Sequence, residues 1–457
     1  MDAKEYFNGK KITLMGLGLL GRGVGDVKFL ASVGAELIVT DLKTEEQLES
    51  SFEQLRSFPH ITFHLGEHRL EDFHGRDLII KAAGVPLNSP YIAEAKKHKI
   101  PVRMSADLFA ELAGIPVVGI TGTRGKSTVT HLISHILKNI GMDVLVGGNV
   151  RGVSSLALLP EVTPESVAVL ELDSWQLQGF GEAHISPQVA VFTTFLPDHM
   201  NYYRNAASTD DEAMRLYFAD KSNIFLNQDE SDTLVLGEQV SPFVQEYGYQ
   251  KKIRANTILA GAKNLPKGTK LQILGEHNRY NAGLATEAAR ALGVDDETIR
   301  LALESFAGLP GRLEFLRDVK GVKIYNDNNS TTPDATLAAL KALDPDKKKN
   351  VVLIVGGDDK KLDMSALVAA FPEHCSKIIL FKERGTDRIR DEVFELTNQG
   401  VEVYEEEGLK ACIERAVAVA KPGESILYSP AFSSFGKYFK NEYDRNDQFV
   451  KLINELK

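Results

Sequence analysis

Lys126 ends the run Gly122, Thr123, Arg124, Gly125, Lys126 and is followed by Ser127 and Thr128. Those residue types suit the holding of a phosphate chain. Glycines let a turn bring backbone N–H groups against an anion, an ammonium reaches the terminal phosphates, and a hydroxyl ligates Mg²⁺. The turn is shorter than G-x-x-x-x-G-K-[ST] because position 120 is isoleucine. A chance lysine beside a glycine turn is the bland alternative. An apolar, strand-like run at 116–120 and an amphipathic, helix-like run from Val129 favour the phosphate loop.

Three other side chains could join such chemistry. Glu171 ends the apolar run SVAVLE, His199 lies in PDHM after another such run, and Lys221 sits in the helical stretch FADKSNIF. Taken singly they read as a solvated strand end, a loop histidine and a surface lysine. A second glycine turn, Gly16 to Gly21 (GLGLLG), follows KITLM, and Asp41 ends the next strand-like run at about the spacing of a dinucleotide fold. A lone G-x-G-x-x-G is weak evidence. NAD would suit it, but no dehydrogenase constellation accompanies the turn, and an oxidoreductase leaves the second cradle unexplained.

These residues need elements to position them. Strand-like runs alternate with helical ones in three sections: KITLM, AELIVTD and DLIIKAAG; then IPVVGIT, SVAVLELD and QVAVFTTF; then GVKIYNDN, NVVLIVGGDD, KIILF and ESILYSPA. That alternation predicts an α/β chain with parallel sheets, and ligands at the carboxyl ends of strands. A charged, proline-bearing passage near 104 and the turn residues Gly308, Pro310 and Gly311 divide the chain into 1–104, 105–308 and 309–457. The length of 457 residues calls for two to four domains. The net charge of −10 and the lack of a long basic run argue against a nucleic-acid partner. Two cysteines, Cys375 and Cys412, fit no metal or disulfide spacing, which suits a reducing compartment. No stretch reads as a signal peptide or membrane span, so the expectation is a cytoplasmic protein.

The ordered series GITGTRGKSTVTHLISHIL, GGNV, LELDSWQL, PDHMNYY, GEHNRYNAGLATEAA, LPGRLEF, YNDNNSTTPDAT, VGGDDKKLD and SPAFSSFGKYFKNEYDR resembles the Mur ligases over nearly the whole chain. It looks most like the member that adds D-glutamate to UDP-N-acetylmuramoyl-L-alanine. The resemblance implies a monomeric, cytoplasmic ADP-forming amide ligase of peptidoglycan synthesis, with a Rossmann-like first domain, a central ATPase domain and a Rossmann-like third domain. It implies ATP as co-substrate, two Mg²⁺ ions and an acyl-phosphate intermediate. It makes Lys126, Glu171, His199 and Lys221 catalytic, with Ser127, Glu171, His199 and an N-carboxylated Lys221 on the metals. It gives ATP to Gly122, Thr123, Gly125, Lys126, Ser127, Thr128, Asn278, Asn281, Arg312 and Asp327. The first glycine turn then holds a uridine diphosphate handle through the Leu19 and Leu20 N–H groups, with Asp41 and Leu42 beside the uracil and Asn149 on the substrate side. Thr331, Lys360 and Ser434 hold glutamate. Arg312 beyond the Gly308–Gly311 linker implies a hinge.

Departures from the family pattern cluster at the acceptor: Asn329 stands where lysine is usual and Glu442 where phenylalanine is. Asp173, Trp175 and Arg124 replace serine, phenylalanine and asparagine nearer the phosphate loop. They leave D- against L-glutamate open. The rivals are a folylpolyglutamate synthase-like enzyme, which has no need of a UDP pocket, and a non-catalytic nucleotide-binding regulator, which predicts decay of Lys126, Glu171, His199 and Lys221.

Overall fold

The computed structural model describes residues 3–58, 60–434 and 436–456; Phe435 of the SPAFSSFG stretch lies outside them. Three sheets follow one another along the chain. The first holds β1 (Lys11–Met15), β2 (Glu36–Asp41), β3 (Ile61–Leu65), β4 (Leu78–Lys81) and β5 (Val102–Arg103) in the order β3-β2-β1-β4-β5, all parallel. The second holds β6 (Val117–Thr121), β7 (Asp143–Gly148), β8 (Ser166–Glu171), β9 (Val189–Phe192), β10 (Thr233–Gly237) and β11 (Asn256–Ala260) in the order β11-β10-β9-β6-β8-β7, again all parallel. The third holds β12 (Glu314–Val319), β13 (Val322–Asn326), β14 (Val351–Val355), β15 (Cys375–Phe381), β16 (Glu402–Glu406) and β17 (Ser425–Tyr428) in the order β12-β13-β17-β14-β15-β16; only the β12–β13 pair is antiparallel. Parallel strands covered on both faces read as unbroken apolar runs, and β6, β8, β9 and β14 are buried along their whole length.

The chain divides into two compact units, Met1–Thr269 with Tyr280–Glu304, and Lys270–Arg279 with Ser305–Lys457. The first unit carries two sheets over one continuous core, which runs from Ile12, Leu14 and Val39 through Leu108 and Phe109 to Leu170, Phe192 and Phe218. The sequence reading puts its last boundary at 308; the compact division falls at 304 and also gives 270–279 to the second unit. In that unit the core forms on both faces of the third sheet: Leu353, Leu380 and Leu427 point one way, Ile354, Ile379 and Ile426 the other.

Candidate active site

Strand β6 feeds the phosphate loop from the middle of its sheet, where β8 and β9 flank it. The helix begins at Lys126, three residues before the Val129 that the amphipathic pattern indicates, and runs to Asn139 with Gly125 as N-cap. The pattern misses the first turn because Lys126 and Ser127 are polar and only partly buried. Gly125 has φ 87°, and no side chain caps the helix, so the positive end of the helix faces the loop. Gly122 adopts φ 143°, and a Cβ there would lie 2.0 Å from Thr193 Oγ1, so only glycine fits. The loop is pinned from β9's carboxyl end: Thr123 N donates to Thr194 O (2.7 Å), Arg124 N to Thr194 Oγ1 (2.9 Å), and Thr193 Oγ1 to Arg124 O (2.6 Å).

Lys126 Nζ donates to the carbonyls of Gly122 (2.9 Å) and Thr123 (3.2 Å). Lys221, from helix Asp210–Ser222, reaches the same Gly122 carbonyl at 2.9 Å and is 1% exposed. Two lysine side chains therefore converge on one carbonyl. Burial pushes the Lys126 amine down, with Glu171 opposing. Burial, reinforced by the Lys126 charge, pushes Lys221 well below the usual lysine range. Glu171 ends β8 and is buried. His199 caps helix Met200–Tyr203 in a left-handed conformation, φ 56°. Burial lowers its pKa, Asp198 opposing.

Among the described residues, Glu171 and His199 belong to no trio of His, Cys, Asp or Glu side chains whose ligand atoms lie within 4.8 Å of one another; the trio that meets this test is His74, Glu94 and His98. The expected magnesium set therefore depends on Ser127 and on the chemical state of Lys221. A carboxylate and a hydroxyl are hard oxygen donors that suit Mg²⁺, whereas an ammonium does not. Burial disfavours the charged form of Lys221, the direction that carboxylation of its amine needs. With that modification Ser127, Glu171 and Lys221 offer oxygen donors that suit the metal, and His199 is the one member of the set with a nitrogen donor.

Residues that the sequence reading does not assign to the site complete its surroundings. Arg124 pairs with Asp198 at 2.9 Å. Asp198 is partly buried, which raises its pKa, but His199 and Arg124 outweigh this and hold it at about 2. Trp175 packs against His199, ring centroids 4.8 Å apart, and its buried Nε1–H finds no acceptor in the protein. The polar pair after QVAVF and the arginine in the loop are visible in the sequence, but nothing there says that they meet.

At the first glycine turn, Asp41 accepts the N–H of Gly18 through Oδ2 (3.0 Å) and that of Lys43 through Oδ1 (2.9 Å). It thus holds the turn itself as well as standing where the uracil is expected. Leu19, Leu20 and Leu42 are exposed around it. Asn149, at the end of β7, accepts from Arg22 Nη1 at 2.7 Å, and its N–H donates to Glu171 O at 2.7 Å. Arg22 opens the helix after the glycine turn, so this hydrogen bond joins the first cradle to the strand end that carries Glu171. Further along the same helix Asp26 Oδ1 accepts from Ser105 Oγ (2.6 Å) and Ser154 Oγ (2.5 Å), and burial raises its pKa to about 6.

Asn278 and Asn281 lie one turn apart on helix Glu276–Ala291, both buried. Asn281 Oδ1 packs against Gly125, 2.4 Å from where a Cβ would stand. Asn278 Nδ2 donates to Leu274 O (2.8 Å). In the second unit, Thr331, Lys360 and Ser434 follow the adjacent strands β13, β14 and β17. Lys360 Nζ donates to Thr331 Oγ1 at 3.0 Å. Ala431 N bonds Ser330 O (2.9 Å), and Asp358 pairs with Ser433, which draws the three loops together. Asp327 is buried and accepts from Ser330 Oγ, Ser429 Oγ (2.8 Å) and Leu313 N (3.0 Å); burial lifts it to about 6, with the Arg312 charge among the opposing influences. Asn329, the departure from lysine, donates to Pro310 O at 3.3 Å. Its amide nitrogen holds the turn at Pro310, while its Oδ1 accepts from Asn328 Nδ2 (3.3 Å) within its own loop.

Residues 10–104 match the Mur ligase MurD-like N-terminal domain, 120–289 the Mur ligase middle domain and 311–432 the Mur ligase glutamate ligase domain. Over 98% of its length the chain is 32% identical to the UDP-N-acetylmuramoylalanine–D-glutamate ligase of Roseiflexus sp. (strain RS-1), 99% of which is covered. It is also 32% identical to the ligase of that name from Borreliella burgdorferi (strain ZS7), over 97% of each chain. In fold it is similar to the crystal structure of UDP-N-acetylmuramate-alanine ligase from Thermotoga maritima (TM-score 0.60, 19% identity, 98% of this chain and 100% of that one). It is likewise similar to the E. coli FolC structure in complex with DHPP and ADP (TM-score 0.55, 16% identity, 77% and 92%).

Proposed function

The chain belongs to the Mur ligase family, and from that premise we propose that it joins D-glutamate to UDP-N-acetylmuramoyl-L-alanine, with cleavage of ATP to ADP and phosphate, in peptidoglycan synthesis. The observation that carries the reading is the glycine loop at a helix N-terminus, with the Lys126 side chain held on the Gly122 and Thr123 carbonyls inside it. Such positive charge on a phosphate cradle suits transfer of a phosphoryl group between anions.

The substrate's terminal carboxylate oxygen attacks the γ-phosphorus, the bond to the ADP oxygen breaks, and an acyl phosphate forms. The glutamate amine then attacks the acyl carbon, loses its proton, and expels inorganic phosphate as the amide closes. Lys126 leaves the loop carbonyls to meet the phosphoryl oxygens, where its charge counts most. Magnesium, when bound, supplies further positive charge against those oxygens. Ser127, Glu171, His199 and Lys221 are the side chains that would hold it. For Lys221 this requires its neutral amine to add carbon dioxide and release a proton, giving a carbamate oxygen donor. The Leu19 and Leu20 N–H groups bind the diphosphate of the substrate, Asp41 and Leu42 flank its uracil, and Asn149 orients its reactive end. In the second unit Lys360 neutralises one glutamate carboxylate, while Thr331 and Ser434 donate hydrogen bonds.

Substrate labelled with ¹⁸O in its terminal carboxylate tests the intermediate. One labelled oxygen per turnover should appear in inorganic phosphate. Phosphate free of label would rule out the acyl phosphate.

A further inference from the structure

His74, Glu94 and His98 take no part in the chemistry above. His74 Nε2 and His98 Nε2 lie 2.9 and 3.0 Å from the same atom, Glu94 Oε1, and the two imidazole centroids are 4.6 Å apart. Glu94 stands on helix Pro90–Lys97 and His98 is that helix's C-cap; His74 is the C-cap of the 3₁₀ turn Leu70–Phe73. Their frame is rigid. Phe73, next to His74, and Ala95, next to Glu94, are completely buried, and with Ile92 they pack into one cluster against the first sheet. The ligand atoms face outward from that packed base, His74 and His98 being roughly two-fifths exposed and within reach of solvent ions.

We propose that these three side chains bind a zinc-class divalent cation through two imidazole nitrogens and one carboxylate oxygen, with a further position open to water. Imidazole donors favour zinc and its neighbours over magnesium or calcium, which take oxygen ligands. Tetrahedral zinc separates its nitrogen and oxygen donors by about 3.4 Å, a few tenths of an ångström wider than the present contacts, a change that partly exposed imidazoles accommodate by small rotations. Elements whose own neighbours are locked in the core present the ligands with little ordering left to do. Lys97 Nζ already lies 3.3 Å from Glu94 Oε1, a fixed positive charge that an incoming cation must displace. The bound ion would tie the 3₁₀ turn to the helix. The inference is independent of the ligase reading.

The test is zinc titration of the full-length protein by calorimetry, after chelator treatment and with excess magnesium and ADP present to occupy the phosphate loop. Wild type should bind one zinc equivalent, and saturation should raise its thermal midpoint. Cobalt as a spectroscopic stand-in should give a visible absorption band. His74→Ala and His98→Ala should each weaken zinc binding at least about tenfold, as loss of a direct ligand should exceed the loss of an outer partner. Both should abolish the cobalt band and keep wild-type ADP release. Lys97→Ala should bind zinc more tightly. An absence of saturable zinc binding, an affinity unchanged in both histidine variants, or weaker binding in Lys97→Ala would overturn the proposal.

Discussion

Lys126 can be tested without disturbing the fold, because its buried ammonium is bonded only to loop carbonyls and burial already disfavours its charge. Lys126→Ala should lower ADP release about 10²- to 10³-fold, the effect of removing one positioned charge from a transferring group. Its melting midpoint should not fall below that of wild type. A variant that turns over normally would remove Lys126 from the chemistry. Lys221 makes a sharper case. Its basicity is depressed by burial and by Lys126, the direction that favours the neutral amine. ¹³C-bicarbonate should therefore give a carbamate resonance in wild type that is missing in Lys221→Ala, and identical spectra would rule out the modification. The loop lysine was legible because glycines and hydroxyls surround it. Arg124 was visible as a departure, but its partner Asp198 lies 74 residues further on, and no local pattern signals a pair at that separation.

The elements legible in the sequence were the buried ones. KITLM, IPVVGIT, SVAVLE and NVVLIV became interior strands because parallel strands covered on both faces must be apolar throughout. The runs that escaped notice were β3, β5, β7, β11, β12 and β16, the two edges of each sheet, together with β10. Most of these edge strands are partly solvated and mix polar with apolar residues, as EVYEE does, so neither period stands out; β7 (DVLVGG) and the interior β10 (TLVLG) are largely apolar and buried and do not follow that rule. At this scale the helix after the first glycine turn makes a pH-dependent prediction. Its Asp26 has a folded pKa of about 6 against an ordinary 3.8. Between those values the folded chain holds the extra proton, so stability falls as pH rises through that window. Asp26→Asn keeps an oxygen for both serine hydroxyls and removes the titration. Between pH 5 and 7.5 the variant should gain about 1 kcal/mol relative to wild type, read from paired denaturation midpoints. A constant difference across that range would show that the carboxyl is not the cause.

At the scale of the whole chain, three α/β sections and their order were legible, because each repeats strand, turn and helix in parallel-sheet form. The compact division at 304, with 270–279 on the far side, was not, since contacts between distant segments leave no mark on composition. The acceptor loops follow three adjacent strands of the third sheet, and Lys360 already meets Thr331 there. Lys360→Ala should therefore raise the KM for D-glutamate about tenfold or more, the scale of a lost charge-assisted bond, and leave that for ATP nearly unchanged. Equal increases in both would deny Lys360 a specific role. The most direct test of the ligase reading is ADP release with UDP-N-acetylmuramoyl-L-alanine and, in parallel, D-glutamate, L-glutamate, lysine or meso-diaminopimelate. The account predicts release that requires both the nucleotide substrate and an amino acid, and is fastest with D-glutamate. Faster release with L-glutamate would keep the chemistry and overturn the acceptor; release that needs neither partner, or that prefers a basic acceptor, would contradict the function proposed.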